Sequence, residues 1–221
     1  MRSGALDRVI RRASDPSRRA PGGPGEREET DRCGLCDAPA PEPHAHVLDE
    51  HDGGLLCTCR ACGLLFEKEG AGLGRYRLVP RRRTRLTGVP AADLGVPVGL
   101  AFVVVGLDGV VVARCPSPAG ATAWTVDPGV WADVTARSPR LASMRPAVEA
   151  LLVNTVRGAD EQWIVPVDDC YRLVGLVRRS WTGLSGGDRV WKDIEEFFGG
   201  LTETAAADGH MTRSTETRSQ K

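Results

Sequence analysis

Two Cys-x-x-Cys pairs constrain this chain more than anything else in it. Cys33-x-x-Cys36 is followed by 22 residues and then by Cys59-x-x-Cys62. A two-residue gap lets both sulfurs of a tight turn point at one ion, so the spacing predicts a four-thiolate tetrahedral site. A module of about 40 residues buries too little apolar surface to fold unaided. Zinc held by four thiolates supplies on the order of 10 kcal/mol of folding free energy. Zinc is therefore the expected ion; a rubredoxin-like single iron, serving electron transfer, uses the same ligands and is the alternative. Gly34 and Gly63 are expected to give the two turns backbone freedom.

Cys57 complicates the ligand set. It lies two residues before Cys59, so in a continuous strand both sulfurs would face one side. Cys57 could then replace Cys59 as third ligand, although the x-x spacing favours Cys59. His44 and His46 have the same alternate spacing and stand as further metal-binding or supporting residues, against the plain alternative of surface histidines. His51 falls in a predicted exposed turn.

The chain divides around this module. Residues 1–31 are rich in Pro, Gly, Arg, Ser and Glu and are expected to be disordered, as is the polar tail 201–221. Residues 32–70 form the zinc-ribbon-like four-cysteine module, with strands at 45–48 and 55–58 around the turn Asp49–Gly54. Residues 71–89 read as an Arg-rich strand (74–79) and linker. Residues 90–200 form the main domain. There Leu100–Val105 and Val110–Arg114 read as a hairpin through Leu107-Asp108-Gly109. Further strands are expected at 122–126, 150–156 and 163–167. Asp127-Pro128 opens a helix to about Ala136. Asp168 or Asp169 caps a second, and Ser185 caps a third that Gly199-Gly200 ends. Strands precede helices without strict alternation, which predicts an α+β fold. The five tryptophans read as core anchors.

Charge enters with a local stripe. The 221 residues carry 29 basic and 29 acidic groups, which excludes a chain basic or acidic throughout. Yet 72–90 holds Arg75, Arg77, Arg81, Arg82, Arg83 and Arg85 and no acid. A local +6 beside a metal module predicts docking to an acidic protein partner, or a nucleic-acid contact as a zinc-ribbon regulator. A solvated linker is the plain alternative; only Lys68, Lys192 and Lys221 among the 29 basic residues are lysine, which points to codon usage.

Seven Cys, five of them within 30 residues, make a poor disulfide framework. The longest apolar run, 96–107, is too short for a membrane span, and the N-terminus lacks a signal core. A cytoplasmic location follows as an expectation. Walker, G-x-G-x-x-G, G-x-S-x-G and H-E-x-x-H motifs are missing, and the main domain has no His. The chain is expected not to be an enzyme. The cluster Asp168, Asp169, Cys170 reads as a helix start with a buried thiol, and Cys115 as a strand-end or core residue.

Several phrases together carry a resemblance: RCGLCD (32–37), LLCTCRACGLLF (55–66), GRYRLVP (74–80), SPAGAT (117–122), VEALLVN (148–154) and VPVDDCYRLVGLVR (165–178). The set resembles an actinobacterial family of unknown function whose members are often encoded beside NiFe-hydrogenase genes. The resemblance spans about residues 32–200. It implies an accessory protein whose partner is a NiFe-hydrogenase subunit or maturation factor, and it implies no catalytic residues.

Overall fold

A computed structural model describes residues 31–67, 74–95 and 99–216, with side chains to residue 205. The expected N-terminal disorder over 1–30 and the end of the tail, 217–221, lie outside the described residues. The chain falls into two compact units divided between Val79 and Pro80.

The first unit is a three-stranded antiparallel sheet with the order β2-β1-β3: β1 Ala45–Asp49, β2 Gly54–Thr58 and β3 Tyr76–Leu78. β1 and β2 form the hairpin that the Asp-Gly-Gly turn predicts. Asp52 Oδ1 accepts from Gly54 N at 2.8 Å and Asp49 Oδ1 from His51 N at 3.0 Å, so the turn's own acids close it. Val47 is fully buried and is the register partner of both Leu56 and Leu78. A short helix, α1 (Arg60–Leu65), follows β2 directly.

The second unit is a six-stranded antiparallel sheet, β4-β9-β8-β5-β6-β7. Its strands are β4 Thr84–Arg85, β5 Leu100–Val105, β6 Val111–Ser117, β7 Gly120–Thr125, β8 Glu149–Asn154 and β9 Glu161–Pro166. Its helices are α2 Pro128–Arg137, α3 Val167–Ser180 and α4 Gly187–Glu216. Register sorts the central side chains into two faces. Val103, Leu151 and Ile164 align across β5, β8 and β9 and join one cluster with Val134 of α2, Leu141 and Met144. Phe102, Leu152 and Trp163 align on the opposite face, where the Phe102 ring meets Tyr171 of α3 at 6.4 Å. With both faces covered, the central strands read as continuous apolar runs instead of alternating ones, a pattern better known from parallel sheets. The α+β class is the one expected.

Four local expectations change. Asp127 caps α2 as read, accepting from Gly129 N and Val130 N. Neither Asp168 nor Asp169 is the cap of α3: the helix starts directly from the end of β9 at Pro166, without a side-chain cap, and both acids lie inside its first turn, Asp169 buried against arginines. Ser185 sits in the turn before α4, which begins at Gly187. Gly199-Gly200 does not end α4, and residues 201–216 of the expected tail are helical. Buried Leu201 continues the apolar face of Val190, Ile194, Phe197 and Phe198, so packing outweighs a glycine cost of about 1 kcal/mol each. Of the tryptophans, Trp163 alone is fully buried; the other four are half-buried, with Trp124 and Trp131 packed against the α2-side cluster.

The segment read as an Arg-rich strand and linker has its strand where expected, as β3, and the part read as linker carries a second, short strand. Its first part supplies β3 to the three-stranded sheet, and its second part supplies β4 to the large sheet, with Leu86 and Val89 buried. Gln162 holds Val89 as a strand neighbour would: its side chain accepts from Val89 N at 2.8 Å and donates to Val89 O at 3.2 Å.

Candidate metal centre

The first Cys turn is built by its backbone. Cys33 N donates to Ala38 O, Asp37 N to Cys33 O and Ala40 N to Asp31 O. Asp37 takes the left-handed conformation (φ 60°) that closes the loop, and Arg32 pairs with its carboxylate at 2.9 Å. Gly34 and Gly63 serve otherwise than expected: neither has a positive φ. A Cβ on Gly34 would lie 3.1 Å from Leu56 Cβ, and one on Gly63 3.3 Å from Ala45 Cβ. Both glycines give the Cys turns room to approach the hairpin. Gly34 N donates to Cys57 O at 2.8 Å, which stitches the first turn to β2.

The second turn arises where β2 stops. The strand ends at Thr58, and Cys59 is the residue from which α1 springs, with Gly63 N donating to Cys59 O at 2.9 Å. That change of backbone separates Cys59 from Cys57. The sulfurs of Cys33, Cys36, Cys59 and Cys62 all lie within 4.8 Å of one another, and Cys36 and Cys59 are 3.7 Å apart. A tetrahedron of bonds of about 2.3 Å sets sulfur separations near 3.8 Å, so the donor set fits one tetrahedral metal ion. Cys57 joins a different group, with His44 and His46, whose ligand atoms also lie within 4.8 Å of one another.

Four thiols this close cannot all ionise on their own. Burial would raise the Cys33 thiol, but backbone N–H groups of Cys59, Leu35 and Cys36, with the Cys36 side chain, bring it down to about 6. For Cys36, the Ala38 N–H and Cys62 favour the thiolate, yet the Cys33 and Cys59 sulfurs and burial leave its value raised. Cys62 is pushed up to about 12 by Cys36, then by burial, Cys59 and Cys33. The first thiolate is stabilised by backbone dipoles; the last needs positive charge, which a bound cation provides.

Most arginines of the stripe pair with acids inside their own unit. Arg75 pairs with Asp49 at 3.2 Å and Arg77 with Glu50 at 2.7 Å, within the hairpin unit. In the second unit Arg82 grips Glu149 through two bonds, at 3.0 and 2.8 Å, and also donates to Ser143 O. Arg83 grips Asp169 at 2.6 and 3.1 Å, and Arg85 reaches Glu161 at 3.1 Å. Arg81 is exposed. Five of the six arginines expected to form a docking surface are thus neutralised by acids of their own fold. Sequence reading missed those acids because their partners lie up to 86 positions away; a lone Glu149 inside the apolar run 147–153 was the available signal.

Cys115 and Cys170 are buried thiols, as expected. His51 is exposed. Among the described residues no helix is long and apolar enough to cross a membrane. No curated protein and no solved structure matches this chain. A family model does: residues 32–205, which take in both Cys pairs and the whole large sheet, match it, and the chain belongs to the family of unknown function DUF5947.

Proposed function

We propose that this chain is a non-enzymatic accessory protein in which Cys33, Cys36, Cys59 and Cys62 hold a structural zinc ion in a zinc-ribbon-like module, and that the protein works by docking to a protein partner in the cytoplasm. The observation that carries the reading is the convergence of four sulfurs within 4.8 Å in a small three-stranded unit that needs a cross-link to be stable. Leu64 and Leu65 support the docking part: they stand 53% and 66% exposed on α1, next to Cys62. The internal pairing of the arginines favours these leucines over the stripe as the docking face and weighs against nucleic acid, whose binding requires unneutralised cations. The partner class implied by the resemblance is a NiFe-hydrogenase subunit or maturation factor.

Elemental analysis of the purified protein tests the metal. Zinc with no visible colour supports a structural site; iron with thiolate-to-iron absorption selects electron transfer instead. A metal-free protein that stays folded with all four cysteines changed to serine overturns the reading. Affinity capture with wild type and with Leu64→Glu/Leu65→Glu, probed for hydrogenase components, tests the docking. Equal recovery by both forms, or no recovery by wild type, rejects that part.

A further inference from the structure

Next to the four-sulfur centre the hairpin carries a second set of ligands. His46 of β1 and Cys57 of β2 are direct register partners, so their side chains stand side by side on one face of the strand pair. His44 lies two residues before His46 and shares that face; the two imidazoles meet at 4.8 Å between centroids, tilted by 60°. The ligand atoms of His44, His46 and Cys57 all come within 4.8 Å of one another.

His44 supplies the second, independent observation. Its side chain is only 3% exposed, and both ring nitrogens are buried without a hydrogen-bond partner among the described residues. Burying an imidazole with nothing bonded to either nitrogen is costly, and protein folds seldom leave such groups unsatisfied. The Glu42 carboxylate stands 3.6 Å from His44 Nδ1. A carboxylate beside one nitrogen of a ligating histidine is the arrangement that orients the ring and makes it a better donor. Asp31, Glu42 and His44 also approach one another, but both carboxylates are exposed, so they suit that outer role better than a site of their own.

We propose that His44, His46 and Cys57 form a second metal site, for a divalent first-row transition ion. Two imidazoles and one thiolate make a borderline-soft set that suits zinc, cobalt, nickel or copper and does not suit magnesium or calcium. Three protein ligands leave a fourth position open, which distinguishes this site from the closed four-thiolate one and fits an ion that is exchanged or that binds an outside ligand. The site needs the hairpin but not a particular metal at the four cysteines.

The test uses the full chain loaded with one equivalent of zinc and then titrated with Co(II) under reducing conditions. Visible d–d bands and thiolate-to-cobalt charge transfer are followed, and total metal is counted after gel filtration. Wild type is expected to take up a second equivalent with both spectral features. Cys57→Ser and His46→Gln should each lose it and keep the first, whereas His51→Gln should behave as wild type. Circular dichroism checks each variant, and either one that folds carries the test. Saturation of wild type at a single equivalent overturns the proposal, as does a second equivalent retained by the folded Cys57→Ser or His46→Gln protein. Failure of the four-sulfur reading looks different: the first equivalent survives replacement of Cys33 and Cys36 while the second site is unaffected.

Discussion

Glu149 is fully buried, and its two carboxylate oxygens are held by Arg82 at 3.0 and 2.8 Å across 67 positions of chain. The same carboxylate accepts from Arg145 N at 2.7 Å, so each oxygen has a donor. Arg82 also closes on Ser143 O. One arginine of the stripe thus fastens the segment after Val79 to the first residue of β8.

Breaking this pair from one side should be far worse than replacing it. Removing one partner of a buried pair strands the other charge, at about 3–5 kcal/mol. We expect Arg82→Ala to destabilise the large sheet by about that amount, and Arg82→Met/Glu149→Leu to recover most of it. Urea denaturation of the three proteins measures both. A loss under about 1 kcal/mol for Arg82→Ala would show the pair to be no stronger than a surface contact.

Chelation should unfold one unit and spare the other. The three-stranded sheet has few buried apolar residues, whereas the six-stranded sheet has its own two-faced core. With the metal stripped, amide exchange protection should vanish over β1, β2 and β3 and persist over β5, β8 and β9. Protection lost equally in both units would show that the large sheet depends on the metal as well.

The two Gly positions should tolerate no bulk. With Leu56 Cβ 3.1 Å from a Cβ at position 34 and Ala45 Cβ 3.3 Å from one at 63, Gly34→Val and Gly63→Val should each cost about 1–3 kcal/mol through overpacking. Metal affinity measured by chelator competition should fall in parallel, because the strain acts on the metal-bound fold. Unchanged affinity in both variants contradicts this close packing.

Thiol ionisation gives the second unit a pH dependence at the alkaline end. Burial pushes Cys115 up to about 11, and burial, then Asp169 and Asp168, raises Cys170 as well. The folded state therefore holds these protons more tightly than the unfolded chain, whose thiols titrate near about 8.5. Their contribution is present in full below that value and is lost as pH rises through the folded range. Denaturation of Cys115→Ala and wild type should show a difference at pH 7 that narrows by pH 10. Iodoacetamide at pH 8 should leave both cysteines unlabelled until the protein unfolds.

Much of this protein could be read from local pattern. The hairpin at 45–58, the Asp127 cap and the five strands of the main domain follow from short β-rich runs, turn chemistry and capping, which depend on neighbours in the chain. Pairing of the arginines could not be read so, because Arg83 and Asp169 become neighbours only when β4 lies along β9. Nor could the length of α4, since the buried position of Leu201 is a property of what it packs on. Cys57 shows the limit most sharply. Alternation places it with Cys59, but the strand ends one residue too soon for that to hold.

The sequence by itself determined that the four cysteines would come as two close pairs of the kind that can hold one ion, because a two-residue gap fixes local geometry whatever surrounds it. It also determined the α+β class, through the order and period of its apolar segments. Tertiary structure alone decided which charges remain free and which histidine loses its water. Charge pairing and desolvation depend on distances through space, and in a folded chain those are set by sheet register and packing rather than by separation along the sequence.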